Sequence, residues 1–123
     1  MSRQVRGRRA LRAGAAAEDA AARRYEAMGG RVLARRWRAP EGELDLVVLQ
    51  GGVLVFVEVK LRRVLHGDDP VGEAQWRRLE AAASRYMMGH GELTGAARGC
   101  RFDLALAGPD GSLEVIENAR MFG

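Results

Sequence analysis

Lysine is nearly missing from this chain: nineteen of its twenty basic residues are Arg, and Lys60 stands alone. Arg is always protonated, whereas the compact ammonium of Lys can lose its proton when desolvated beside a metal or another cation. A single Lys in a chain that otherwise uses Arg therefore marks a position to inspect. Cysteine is as scarce: Cys100 has no partner for an internal disulfide, which argues against a disulfide-stapled secreted domain and favours a cytoplasmic protein. Prolines are few, so a Pro-rich disordered chain is disfavoured. No stretch approaches the ~18 consecutive apolar residues of a membrane span, so no membrane partner is expected. The Ala-rich segment behind the basic N-terminus carries Glu18, Asp19, Arg23 and Arg24, and so lacks the uncharged core of a secretory signal. His66 and His90 fall in expected loops without ligand spacing, which leaves any metal site to oxygen donors.

What is present is 123 residues with 47% apolar content, enough for one small globular domain. The net charge of +4 is unevenly spread. Residues 1–38 hold eleven Arg against Glu18, Asp19 and Glu26, a balance of +8; the nine basic and thirteen acidic residues that follow leave −4. A basic N-terminal part beside an acidic remainder suits a polyanionic partner, because Arg gathers phosphates while a reacting phosphate is met through a cation. A solvated Arg-rich tail would give the same pattern.

The pattern along the chain predicts a mobile basic arm over residues 1–9 and a single domain over 10–123. A helix is expected over 11–28, with an apolar stripe of Leu11, Gly14, Ala15, Ala21, Ala22, Tyr25 and Met28, closed by Gly29-Gly30. Glu18 falls inside that stripe, so its carboxylate is expected to face inward. A strand follows over 31–38, with Val32, Ala34 and Arg36 on one face and Leu33, Arg35 and Trp37 on the other. Two strands, 43–49 and 53–60, flank Gln50-Gly51-Gly52, a hairpin signal. If Gly51-Gly52 is the two-residue turn, Gln50 pairs with Val53, and continuing that register sets Asp45 opposite Glu58 and Glu43 opposite Lys60, all on one face. Leu44, Leu46, Val48, Val55, Val57 and Val59 then form the core face. A second helix, capped by Asp69 with Pro70 at its first position, is expected to run to about residue 88 and to bury Val71, Trp76, Leu79, Ala83, Tyr86 and Met87. Residues 89–99 read as a polar connection, and strands over 101–107 and 113–117 complete an α/β layered domain.

The chemistry lies in Asp45, Glu58 and Lys60. Two carboxylates opposed across a ladder repel each other unless a proton or a cation lies between them. Hydrolysis of a phosphodiester requires an activated water, charge relief on phosphate and help for the departing oxygen, and one or two Mg²⁺ ions held by hard oxygen ligands supply much of this. Asp45 and Glu58 are the expected metal ligands, with the carbonyl of Val59 as a backbone ligand, and Mn²⁺ could replace Mg²⁺. Lys60 would orient or deprotonate the attacking water, or stabilise charge on the phosphate. Glu18 is a further candidate carboxylate. The plainer readings are that Glu58 and Lys60 form a surface charge pair, that Glu43 ion-pairs with Lys60, and that Glu18 pairs with an Arg or satisfies backbone groups. Arg101 and Asp103 read as a structural salt bridge near the site, and Trp37 as either a half-buried core residue or a base-stacking platform.

Four segments together resemble a known family. Gly14-x-x-x-Glu18, Gly42-Glu43-Leu44-Asp45-Leu46, Val55-Phe56-Val57-Glu58-Val59-Lys60-x-Arg62 and Arg101-Phe102-Asp103 are similar to the YraN family of small bacterial proteins. That family is regarded as similar to the Holliday-junction resolvases within the PD-(D/E)XK nuclease superfamily. The resemblance implies a restriction-endonuclease-like α-β-β-β-α-β core, a mixed sheet flanked by helices. It also implies that Asp45, Glu58 and Lys60 hold the active-site positions and Glu18 the helix-borne acidic position. Many relatives carry Lys at the start of the second helix, where this chain has Gln75.

The expected function is a Mg²⁺-dependent endonuclease hydrolysing phosphodiester bonds in DNA, with branched DNA as a candidate substrate. A homodimer would suit junction cleavage, which needs two active sites. The alternative is a nucleic-acid-binding module of the same fold that cleaves nothing and serves a recombination or repair partner. A third reading is an interaction protein whose charged hairpin is structural.

Overall fold

A computed structural model describes the backbone of residues 3–61 and 71–120 and the side chains of residues 14–61 and 71–120. The elements are α1 (Arg3–Ala27), β1 (Arg31–Ala39), β2 (Gly42–Gln50), β3 (Val53–Leu61), α2 (Glu73–Gly89), α3 (Gly91–Ala96), β4 (Gly99–Ala107) and β5 (Leu113–Arg120). The strands form one mixed sheet in the order β1-β2-β3-β4-β5. Only β3 and β4 run parallel, as they must, because the chain crosses over through α2 between them. The first six expected elements thus follow the α-β-β-β-α-β order of a restriction-endonuclease-like core, with α3 and β5 added.

The two helices cover opposite faces of the sheet. On one face, Trp76, Leu79, Ala82, Ala83 and Tyr86 of α2 pack on Leu44, Val47, Leu54, Phe56, Phe102, Leu104 and Leu106. On the other, Ala21, Ala22 and Tyr25 of α1 pack on Leu46, Val48, Val55, Val57 and Ala105. Small residues on α1 let that helix lie close to the sheet, whereas aromatic rings fill the α2 side, where Tyr86 meets Trp37 and Phe56 edge-on. β2 and β3 are therefore buried on both faces, not on the single face expected from alternation. Leu44 faces α2 although Leu46 faces α1, so the period of two breaks at Asp45.

Other boundaries also moved. α1 begins at Arg3, so residues 3–9, expected to be a mobile arm, are helical; Arg and Gln are good helix formers, and although Gly7 is a poor one, no Pro interrupts them. Its C-terminus is closed as expected: Gly29 takes φ +85° and the Gly30 N–H donates to the Tyr25 carbonyl at 2.8 Å. Met28, assigned to the apolar stripe, lies past the helix and is exposed. Asp69 and Pro70, the expected cap of α2, and His66 lie outside the described residues; α2 starts at Glu73 behind Gly72, without a side-chain cap. The connection after it contains α3, which glycines at Gly91 and Gly95 disguised. Among the described residues no helix is long and apolar enough to cross a membrane.

Candidate active site

The hairpin forms in the expected register. Gly51 and Gly52 both adopt positive φ, the two-residue turn that matches strand twist, and Gln50 pairs with Val53 through to Leu46 with Val57. The next step of that register is Asp45 against Glu58, and there the ladder stops. The Asp45 carboxylate accepts the Val59 N–H at 2.8 Å, so a side chain takes the place of a strand carbonyl. β3 keeps its other edge, pairing with β4 as far as Leu61 and Ala107. The opening thus lies between β2 and β3, braced from behind by β4.

Glu58 is only 7% exposed, whereas Asp45 is half-buried. Burial, then the charge of Asp45 and a hydrogen bond with it, push the Glu58 carboxyl up to about 9, while Lys60 pulls it down. With no cation present Glu58 therefore keeps its proton at neutral pH. Lys60 Nζ lies 3.9 Å from Glu58 Oε1 and its side chain is 30% exposed, so one end of the pair faces an ammonium that solvent can reach. A divalent cation fits this donor set. The oxygens are hard, the acids are in contact, and a cation relieves the same repulsion that the Glu58 proton relieves. Among the described residues no three His, Cys, Asp or Glu side chains gather as a metal cage. A pair of carboxylates completed by backbone, water and phosphate oxygens is how Mg²⁺ is commonly held.

The remaining expected site residues are distributed differently. Glu18 reaches the neighbourhood from α1, but its carboxylate accepts Arg36 Nε at 2.7 Å. Glu43 does not pair with Lys60; the adjoining β1 places Arg38 opposite it, and Arg38 Nε donates to it at 3.0 Å. Trp37 is half-buried and meets Tyr86 edge-to-face, with ring centroids 5.3 Å apart. His90 stacks on Tyr86 with centroids 4.0 Å apart and its Nδ1 2.8 Å from the Tyr86 carbonyl, a structural placement. Asp103 is fully buried and accepts from Tyr25 Oη at 2.6 Å, Arg101 Nε at 2.9 Å and the Asn118 N–H at 3.0 Å. It is a structural node, as expected of the Arg101 and Asp103 pair.

Arg36 was not foreseen. Arg35 pairs with Leu46 and Trp37 with Leu44, so Arg36 lies across from Asp45. Its guanidinium is held protonated chiefly by Glu18, with Glu43 and Asp45 contributing. Its φ of +48° is a left-handed backbone carrying a long side chain. Nothing in the sequence signals that conformation, since neither Gly nor Asn stands there.

The sequence pattern of the uncharacterised protein family UPF0102 matches residues 17–106, a span containing the whole constellation. The chain belongs to this family. A UPF0102 protein of Ruegeria pomeroyi is 42% identical over 115 residues, covering 93% of this chain and 92% of its own. UPF0102 proteins of Azorhizobium caulinodans and Gloeobacter violaceus are each 48% identical, over 86% and 73% of this chain and 80% and 75% of their own. UPF0102 is the YraN family of the resemblance above. Among solved structures, Pyrococcus furiosus SfsA in complex with Ca²⁺ aligns over 75% of this chain and 55% of its own, with 16% identity and a TM-score of 0.35. This chain thus spans about half of that protein, and a likeness of that size carries no weight here.

Proposed function

We propose that this UPF0102 protein is a divalent-metal-dependent endonuclease acting on DNA, with branched DNA as its candidate substrate. The observation that carries the reading is the contact of buried Glu58 with Asp45, beside the chain's only Lys, at the point where the hairpin opens. A structural hairpin has no use for two acids in contact, because the pair costs stability wherever a proton or cation is not supplied.

Asp45, Glu58 and the Val59 carbonyl hold the ion. Bound Mg²⁺ or Mn²⁺ supplies Lewis acidity toward phosphate and lowers the pKa of water. The chain's own part is orientation and charge. The Val59 N–H fixes Asp45 in place, and burial fixes Glu58. Lys60 Nζ, tethered near Glu58, donates to the attacking water or to a phosphoryl oxygen as negative charge develops. The eleven Arg of residues 1–38 draw the DNA backbone to the domain.

Cleavage of labelled duplex, single-strand, flap and four-way-junction DNA in Mg²⁺ or Mn²⁺ tests this. Asp45→Ala is expected to abolish cutting, and Lys60→Ala to slow it by about 10²- to 10³-fold, both with the fold intact. Salt-sensitive DNA binding that survives both substitutions, with no cutting by the native chain, would move the function to a non-catalytic binding module.

A further inference from the structure

Two residues other than Gly take positive φ among the described residues: Asn118 and Arg36. Asn tolerates the left-handed region, and at Asn118 the conformation accompanies a backbone N–H donated to Asp103. Arg has no such ease, and Arg36 sits across from Asp45. The distortion has a visible result. In a regular strand Arg35 and Arg36 would point to opposite faces, but here both reach α1, Arg35 to Asp19 at 2.6 Å and Arg36 to Glu18 at 2.7 Å.

The Glu18 contact uses only Nε of Arg36. Among the described residues Nη1 and Nη2 make no hydrogen bond, and the side chain is 48% exposed. A guanidinium gripped at Nε and open at its terminal nitrogens presents the planar fork that matches a phosphate. Glu18 is itself largely covered, its side chain 16% exposed, with one carboxylate oxygen engaged by Arg36. It does not join Asp45 and Glu58 in a three-acid cage.

We infer that Arg36 is the phosphate anchor of this site, taking a DNA backbone phosphate beside the Asp45/Glu58 pair through its terminal nitrogens, and that Glu18 is its positioning residue, not a metal ligand. The inference rests on the reading of the site as a phosphodiester-cleaving centre. It gives the helix-borne acid a role through Arg36 and gives the strained backbone a purpose, since the strain brings the guanidinium to Glu18 from a strand position across from Asp45.

The test uses the full chain and three measurements: Mg²⁺-dependent cleavage with kcat and KM separated, Mn²⁺ affinity by calorimetry, and the salt dependence of duplex DNA affinity in EDTA. Arg36→Gly suits the positive φ and so keeps the fold. It is expected to cut at least about 100-fold more slowly, to lower the slope of log affinity against log salt by about one, and to bind Mn²⁺ as the native chain does. Arg36→Lys keeps the charge but loses the fork, and is expected not to restore the rate. Glu18→Gln is expected to lower kcat with Mn²⁺ affinity unchanged. Weaker Mn²⁺ binding by Glu18→Gln would overturn the inference by making Glu18 a ligand. Native cleavage and native salt slope in Arg36→Gly would overturn it by reducing Arg36 to a strand-to-helix tie. If the native chain binds DNA without cutting it, the endonuclease reading fails and the salt slope alone decides Arg36. If it neither cuts nor binds, both fall.

Discussion

Two acids are buried among the described residues, and their surroundings differ in kind. On β4, Asp103 is met by three donors, the Tyr25 hydroxyl, the Arg101 guanidinium and the Asn118 N–H, and these tie α1, β4 and β5 together. On β3, Glu58 is met by another acid, Asp45, with Lys60 at 3.9 Å as partial relief. The first arrangement is complete as it stands. The second is completed only by something that arrives, first a proton and, on the present reading, a cation. A buried charge serves structure when the chain supplies its partners, and it points to function when the chain withholds them.

Breaking the complete arrangement is expected to have the largest effect on stability. Asp103→Ala leaves the Tyr25 hydroxyl, the Arg101 Nε and the Asn118 N–H without their acceptor, with Gln50 and Glu117 still meeting Arg101 Nη2, and should cost about 3–5 kcal/mol, read as a fall in Tm of roughly 10 °C or more. Tyr25→Phe removes one donor of three and should cost about 1–3 kcal/mol by denaturant unfolding. At the other acid the sign reverses: Glu58→Gln should leave unfolding free energy at neutral pH equal or higher while metal-dependent cutting is lost.

The same contrast can be sharpened with pH. Glu58 has an ordinary pKa of 4.5 in the unfolded chain and about 9 in the metal-free fold. Between those values the folded state holds the extra proton, so its contribution to stability is full below about pH 4.5 and is lost as pH rises through 9. Thermal unfolding in EDTA should therefore show Tm falling from pH 6 to pH 9.5, and Glu58→Gln should flatten that fall. The smallest expected stability effect is that of Lys60→Ala, under about 1 kcal/mol, because a long contact at a partly exposed side chain is weak; its effect on cleavage should be large.

Much of this contrast was legible in the residues. Alternating Val, Leu and Phe around Gly51-Gly52 were enough to set the hairpin register, and the register alone brought Asp45 against Glu58. The Arg101 and Asp103 pair was legible because opposite charges two apart share a strand face. What escaped was whatever depended on broken periodicity. A register shift between Val32 and Ala34 and the left-handed Arg36 turned β1 away from simple alternation. Asp45 accepting the Val59 N–H put Leu44 and Leu46 on opposite faces. Neither irregularity carries a Gly or Pro to announce it. Burial of β2 and β3 on both faces was hidden for another reason: carboxylates at positions 43, 45 and 58 made a core face look polar, although Val47, Leu54 and Phe56 on that face are buried.

The most direct test of the central claim is calorimetric titration of the native chain and Asp45→Ala with Mn²⁺ near pH 7.5, in two buffers of different ionisation enthalpy. The expected result is saturable binding that releases about one proton per ion, as the cation displaces the Glu58 proton, and loss of that binding in the Asp45→Ala protein. Binding that is absent from the native chain, or that survives Asp45→Ala unchanged, would contradict the assignment of Asp45 and Glu58 as a metal centre.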